Sequence, residues 1–239
     1  MTNATMTDEA RELYSQATTA SLTAQLVKRG LRTRAISNIA PINPDTPRVF
    51  GPAYTLRYIP MREDLATGEA MANPENPQRK AIEVVPAGHV LIADTNGMDV
   101  SGTFGDILVA RLKVRGVAGV VSDGPMRDIA ELENIDFPVF ARGNAAPPSY
   151  ASMLAADAQV PIGCGGVAVF PGDIVIGDPD GIVILPAAIA EEVARAAVEQ
   201  DQLEAYVRQR VESGDSIVGV YPPNEKTKAD YEAWKAKQR

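Results

Sequence analysis

The stretch Gly105-Asp106-Ile107-Leu108-Val109-Ala110-Arg111-Leu112-Lys113-Val114-Arg115-Gly116-Val117-Ala118-Gly119-Val120-Val121-Ser122-Asp123-Gly124-Pro125-Met126-Arg127-Asp128 decides the fold. Ile107, Leu108, Arg111 and Leu112 recur at helical spacing, and Gly116 stops that helix. Val117 to Ser122 is almost wholly apolar, as expected of a strand buried on both faces. A helix feeding such a strand predicts an α/β protein with a βα-type layout. In these layouts ligands bind in the loop beyond the strand's carboxyl end. Here that loop carries Asp123, Arg127 and Asp128, with Gly124 and Pro125 between them. An arginine beside an aspartate can hold an anion with one side chain and a cation with the other.

Working upstream, Thr103 reads as the helix N-cap with Asp106 at the third helical position, a capping box with Asp in place of Glu. Before it come a loop from Asp94 to Ser101, a strand from His89 to Ala93, a turn at Pro86–Gly88 and a short helix over 78–85. Residues 61–78 are polar and interrupted by proline, a loop long enough to be functional or mobile. Val49 to Ile59 has strand character, and 31–48, with Pro41, Pro44 and Pro47, is mostly loop. Residues 7–29 read as one helix, capped by Thr7 or Asp8 and ended by Gly30.

Downstream, Asp128 to Asn134 reads as a short helix and Phe137 to Ala141 as a strand. From Val160 the texture turns Gly-rich, predicting short strands with tight turns, among them a hairpin at Asp180-Gly181. Residues 186–213 form the longest helix, with Ile189, Val193, Ala196, Leu203, Val207 and Val211 as its apolar seam. The tail after Gly214 holds Tyr221, Tyr231 and Trp234 and is expected to dock. With no internal repeat and no linker, the chain reads as one domain over residues 1–239.

Composition narrows the function. Lys plus Arg number 23 against 31 Asp plus Glu, and the net charge of −8 argues against a nucleic-acid partner, which needs a basic surface. A single cysteine, Cys164, excludes an internal disulfide and fits a reducing compartment. The polar Met1–Ala10 segment does not look like a signal peptide, and no apolar run reaches the roughly 20 residues of a membrane span, so the expectation is a soluble cytoplasmic protein. One histidine, His89, nearly excludes a His triad or a multi-His metal site; it reads as a turn residue. Chemistry then falls to Asp, Glu, Arg and a hard metal.

Asp106 and Asp128 are the favoured carboxylates, although each alone also reads as an acid placed at a helix start for the macrodipole. The first turn of the 103–108 helix exposes backbone N–H groups, an anion site that Gly102 and Gly105 open to close approach. Arg127 suits bidentate carboxylate recognition and reads alternatively as a structural ion pair. Asp128 with waters suits Mg²⁺, which takes one or two carboxylates and keeps its other waters. Asp123 reads as turn-stabilising and Cys164 as packed. Gly163–Gly166 is too weak for a phosphate loop, lacking a Lys-Ser/Thr ending and a following helix.

Gly105-Asp106-Ile107-Leu108, Arg115-Gly116-Val117-Ala118-Gly119 and Asp123-Gly124-Pro125-Met126-Arg127-Asp128 resemble the RraA-like family, which includes 4-hydroxy-4-methyl-2-oxoglutarate / 4-carboxy-4-hydroxy-2-oxoadipate aldolases. Gly172-Asp173-Ile174-Val175 and Asp178-Pro179-Asp180-Gly181-Ile182-Val183 also fit, and the resemblance spans about 45–205. It implies a single-domain layered α/β sandwich of the swivelling-domain type, in homotrimers or homohexamers with sites between subunits. It implies a class II pyruvate aldolase with oxaloacetate decarboxylation as a side activity. Carried across, Asp128 would ligate Mg²⁺ or Mn²⁺, partly through water. Arg127 would face the keto oxygen of a small 2-oxo acid. The amides near Gly105, Ile107 and Leu108 would hold its carboxylate, and Asp106 would position a water on the metal. A glutamate from an adjacent subunit is also expected; Glu204, in the long C-terminal helix, is the candidate.

The chain departs from the family pattern between 60 and 80, where a Gly-Asp-Asn-type stretch is replaced by Met61-Arg62-Glu63-Asp64 and Asn73 to Arg79. Asn76 is the residue placed to supply the matching amide. Two alternatives to the aldolase stand: a non-catalytic regulator, since the family name comes from members that inhibit a ribonuclease, and a metal-dependent hydrolase on the same scaffold.

Overall fold

A computed structural model describes residues 6–237; the ends of the expected 1–239 domain, residues 1–5 and 238–239, lie outside the described residues. Nine strands among them form one sheet: β1 (Ala35–Ile36), β2 (Ala40–Pro41), β3 (Val49–Pro60), β4 (Val90–Asp94), β5 (Gly119–Ser122), β6 (Val139–Ala141), β7 (Met153–Ala158), β8 (Ile174–Asp178) and β9 (Gly181–Leu185). The order is β1-β9-β8-β3-β4-β5-β6-β2, with β7 also paired to β3. Strands β3, β4, β5 and β6 run parallel, and the flanking strands are antiparallel. The twelve-residue β3 is the spine. It pairs β8 through Val49–Pro52, β4 through Ala53–Arg57 and β7 through Leu56–Pro60.

Side-chain alternation explains the layers. On β4, Leu91 and Ala93 enter one core while Val90 and Ile92 enter another, so both faces of the parallel half are covered. The first core packs under α4 (Pro77–Val84), α5 (Asp106–Val114) and α6 (Ile129–Leu132). The second is shared with Val175, Ile182 and Ile184 of β8 and β9, so the antiparallel half faces the parallel half. The opposite faces of β8 and β9 pack on α1 (Asp8–Gln16), α2 (Thr19–Lys28) and α7 (Ala190–Glu212). The result is the layered α/β sandwich. Helix α3 (Gly68–Ala72) lies in the 61–78 segment, and α8 (Glu225–Lys237) docks the tail on α7 by packing Tyr231 and Trp234 against Tyr206, at ring-centroid distances of 5.6 and 5.3 Å.

Four sequence expectations need correction. The 7–29 helix is two helices, because Ala17 is extended and Thr18 starts a new one: its Oγ1 caps Ser21 N–H while Asp201 accepts from both Thr18 N–H and Oγ1. The 160–170 segment contains a 3₁₀ turn at Cys164–Gly166 with Gly165 and Gly166 at positive φ, and only an isolated bridge joins Ile162 to Val169. The long helix begins at Ala190, after a 3₁₀ turn, and buries the small residues Ala190, Ala194 and Ala197 beside Val193 and Val207. Thr103 is not a cap: its Oγ1 lies 2.9 Å from Ser122 Oγ, and Gly105 is the N-cap, with no side-chain bond. Asp106 is therefore the first helical residue rather than the third.

The helix ends follow local chemistry. Gly30 (φ 81°) and Gly116 (φ 73°) close α2 and α5, with Leu31 N–H donating to Leu26 O and Val117 N–H to Leu112 O. This is the six-to-one bond that a left-handed glycine permits.

Candidate active site

The site forms where β4 and β5 end. Asp123, the first residue beyond β5 and 2% exposed, fixes the loops: Oδ1 accepts from Thr95 N–H (2.7 Å) and Oγ1 (2.9 Å), and Oδ2 from Gly165 N–H (2.9 Å). A buried carboxylate satisfied by three donors is a structural anchor, as its place in the turn predicted. Beyond it the backbone of 124–128 is stitched to the segment entering α5, Thr103 N–H donating to Pro125 O (2.8 Å) and Arg127 N–H to Phe104 O (3.1 Å). Met126, fully buried, pins the turn from below, its N–H donating to Gly143 O.

This stitching brings Arg127 and Asp128 over the amino end of α5. Asp128 sits in the left-handed region (φ 58°, ψ 44°), which aspartate tolerates better than most residues. That conformation aims its carboxylate at Gly105, where a Cβ would lie well inside van der Waals contact of Oδ2. Arg127 Nε donates to Asp128 Oδ2 at 3.1 Å, with both side chains about one-third exposed (36% and 35%). An ion pair this exposed contributes little to stability, so stability alone does not account for the strained backbone beneath it. Backbone strain of this kind gathers at functional sites.

Gly102, Gly105, Asp106, Ile107, Leu108, Arg127 and Asp128 line one cleft of about 440 Å³. Met71, Gln78, Arg79 and Pro148–Tyr150 complete its lining. With Gly105 lacking a side chain to cap it, the first-turn N–H groups of α5 are open to a ligand at the positive end of the helix.

Two candidates lie elsewhere. Asn76 is 8% exposed and its Oδ1 caps α4 by accepting from Gln78 N–H; it does not line the cleft. Glu204 lies in a separate groove between α7 and α8, accepting from Gln200 Nε2 at 2.8 Å. Gln78 and Arg79 fall in the 73–79 stretch that the sequence marked as a departure from the family pattern without singling them out, and Tyr150 escaped it. The Asn-Pro start of α4 was a signal for the first two; Tyr150 carried none.

Cys164 is fully buried and donates to Ala93 O; burial, then Asp123 and Asp94, pushes its thiol well above the usual range, so it is no nucleophile. The donor chemistry of the cleft fits a hard divalent ion. Asp128 and Asp106 offer carboxylate oxygens in a solvent-open cleft, and the described residues hold no cluster of three His, Cys, Asp or Glu that would make a closed cage. One or two carboxylates completed by water is the arrangement Mg²⁺ favours.

Comparison with known proteins shows the family. A family model described as RraA-like, Aldolase/RraA, matches residues 12–184. A Halalkalibacterium halodurans protein provisionally named a 4-hydroxy-4-methyl-2-oxoglutarate aldolase is 32% identical, over 79% of this chain and 82% of that one. The crystal structure of Streptomyces coelicolor RraAS2, described as an unusual member of the RNase ES inhibitor RraA family, superposes with a TM-score of 0.74 at 30% identity, covering 84% of this chain and 96% of that one. An uncharacterized Pseudomonas syringae protein reaches a TM-score of 0.80 at 25% identity, covering 94% and 98%. The sandwich, the Arg127-Asp128 turn and these matches together place the chain in the RraA-like family.

Proposed function

We propose that this protein is a divalent-metal-dependent aldolase that cleaves a 4-hydroxy-2-oxo acid to pyruvate and also decarboxylates oxaloacetate. The observation that carries the reading is the convergence of Arg127, Asp128, Asp106 and the uncapped amides of α5 on one cleft. The name of the Halalkalibacterium relative supports it.

In this reading the substrate carboxylate sits on the first-turn amides at Ile107 and Leu108, where the helix end favours negative charge. Asp128, with Asp106 beside it, would hold Mg²⁺ or Mn²⁺, which would supply Lewis acidity to the bound oxo acid. Arg127 donates to the oxygen where charge gathers as the C3–C4 bond breaks. Asp106 takes the 4-hydroxyl proton through a water, so that C4 leaves as a carbonyl and the electron pair stays on C3 as the pyruvate enolate. Protonation at C3 then gives pyruvate. With oxaloacetate the same bond breaks and carbon dioxide leaves. Glu204 of a neighbouring copy is the candidate second acid, in a homotrimer or homohexamer.

Pyruvate release from oxaloacetate tests this directly. It is expected to fall to the uncatalysed rate in EDTA and to return with excess Mg²⁺ or Mn²⁺. Equal rates with and without EDTA contradict the metal assignment, and release no faster than in protein-free buffer with the same metal contradicts the enzyme. The second reading, a protein regulator, is favoured by the description of the Streptomyces relative. No helix among the described residues is long and apolar enough to cross a membrane.

A further inference from the structure

The mechanism leaves Gln78 unused. It is 8% exposed, on the first turn of α4, and it lines the same cleft as Arg127. Its Nε2 donates to Thr103 O at 2.9 Å. A carbonyl can only accept, so this bond fixes which end of the amide is nitrogen. Thr103 is no ordinary partner. Its N–H is held by Pro125 O, its Oγ1 faces Ser122 Oγ, and the next residue's carbonyl accepts from Arg127 N–H. Two residues later the chain enters α5 at Gly105. The catalytic turn therefore holds one side of the 103–104 backbone and Gln78 holds the other. No side chain caps the helix end, because Gly105 has none. Tyr58, 2% exposed, brings its hydroxyl to the same amide. Burial pushes that phenol far up, so it stays neutral.

We propose that Gln78 is a positioning residue for the oxo-acid carboxylate: by holding Thr103 O it sets where the first-turn amides of α5 stand relative to Arg127 and Asp128. The proposal rests on the aldolase reading of the cleft. It assigns Gln78 to ground-state binding, so its loss acts on affinity more than on turnover. A shift of the helix end by a fraction of an ångström weakens two amide bonds to the carboxylate together, while Arg127 stays tied to Phe104 O through its backbone.

The experiment measures pyruvate and oxalate affinity by calorimetry in Mg²⁺ buffer, alongside KM and kcat for oxaloacetate, in the wild type, Gln78→Met and Gln78→Glu. Methionine keeps the length and loses the donor. Affinity and KM are expected to worsen about tenfold, the scale of one or two weakened hydrogen bonds, with kcat changed less than threefold. In the Gln78→Glu variant an ionised carboxylate repels the Thr103 carbonyl and faces the incoming anion, so binding is expected to be weaker still near pH 8. A protonated carboxyl donates as the amide does, and burial raises a carboxyl at this site above its ordinary range, so the affinity of this variant relative to wild type should recover progressively as pH falls from about 8 toward about 5. A general loosening of the fold would not recover in this way. Wild type that binds oxalate beside Gln78→Met that binds it equally overturns the proposal alone. Wild type that binds neither anion overturns the aldolase reading with it. A fall in kcat at unchanged KM also contradicts the positioning role.

Discussion

Arg127→Met and Asp128→Asn are each expected to lower pyruvate formation from oxaloacetate by at least about a hundredfold, the scale of losing one preorganised donor or its electrostatic partner. The choice of variants separates chemistry from folding. The Arg127 side chain is about one-third exposed and its pairing with Asp128 adds little stability, while its backbone N–H keeps its bond to Phe104 O whatever the side chain. At position 128 the left-handed backbone would be strained by alanine, whereas asparagine adopts it readily and keeps the shape while losing the charge. Both variants should therefore unfold in urea within about 1 kcal/mol of wild type, the range of surface substitutions. Near-normal rates in either variant would refute the assignment of the turn and favour the regulator.

The glycines beneath the turn give the second large effect, and they divide by mechanism. At Gly105 the backbone (φ −113°, ψ 179°) is extended and suits alanine. The added methyl meets the end of the Asp128 side chain, which swings aside, and stands 3.3 Å from Arg127 Cγ, which gives by a few tenths of an ångström. Gly105→Ala should cost under about 1 kcal/mol of stability while lowering activity about a hundredfold, since displacing a catalytic group by about 1 Å has that consequence. At Gly102 the methyl would meet Arg127 Cβ at 2.8 Å and Arg127 N at 2.9 Å, and backbone cannot rotate away. Gly102→Ala should cost about 1–3 kcal/mol in the same denaturation experiment, as overpacking does. Equal behaviour of the two variants contradicts the placement of Asp128 over Gly105.

The sequence carried α5, β5 and the turn after them because each is specified locally. Gly116 ends a helix through bonds made within six residues, and an apolar run buried on both faces needs no distant partner to be recognised. The charged residues of the turn stood out for the same reason. What stayed hidden depends on residues far away in the chain. The break at Ala17–Thr18 is held by Asp201, and no breaker residue announces it. Thr103 has every quality of a cap, yet its hydroxyl is spent on Ser122 nineteen positions on. Gly163–Gly166 looks like strand material, but Asp123 binds Gly165 N–H and the glycines turn instead. The rest of the cleft lining comes from α3, α4 and the segment at 148–150, where the Asn-Pro start of α4 is the one local signal. Residue types alone pointed to the carboxylates and the arginine; only the assembled sheet brings Gln78 and Arg79 into the same cleft.

The central claim is that Asp128 holds a divalent ion beside a bound oxo acid. Anomalous difference density from crystals soaked in Mn²⁺ and pyruvate tests it most directly. The account predicts a manganese peak at the Asp128 carboxylate, with the pyruvate carboxylate on the amides of Ile107 and Leu108. A peak at some other acid, or pyruvate bound away from this cleft, would contradict it.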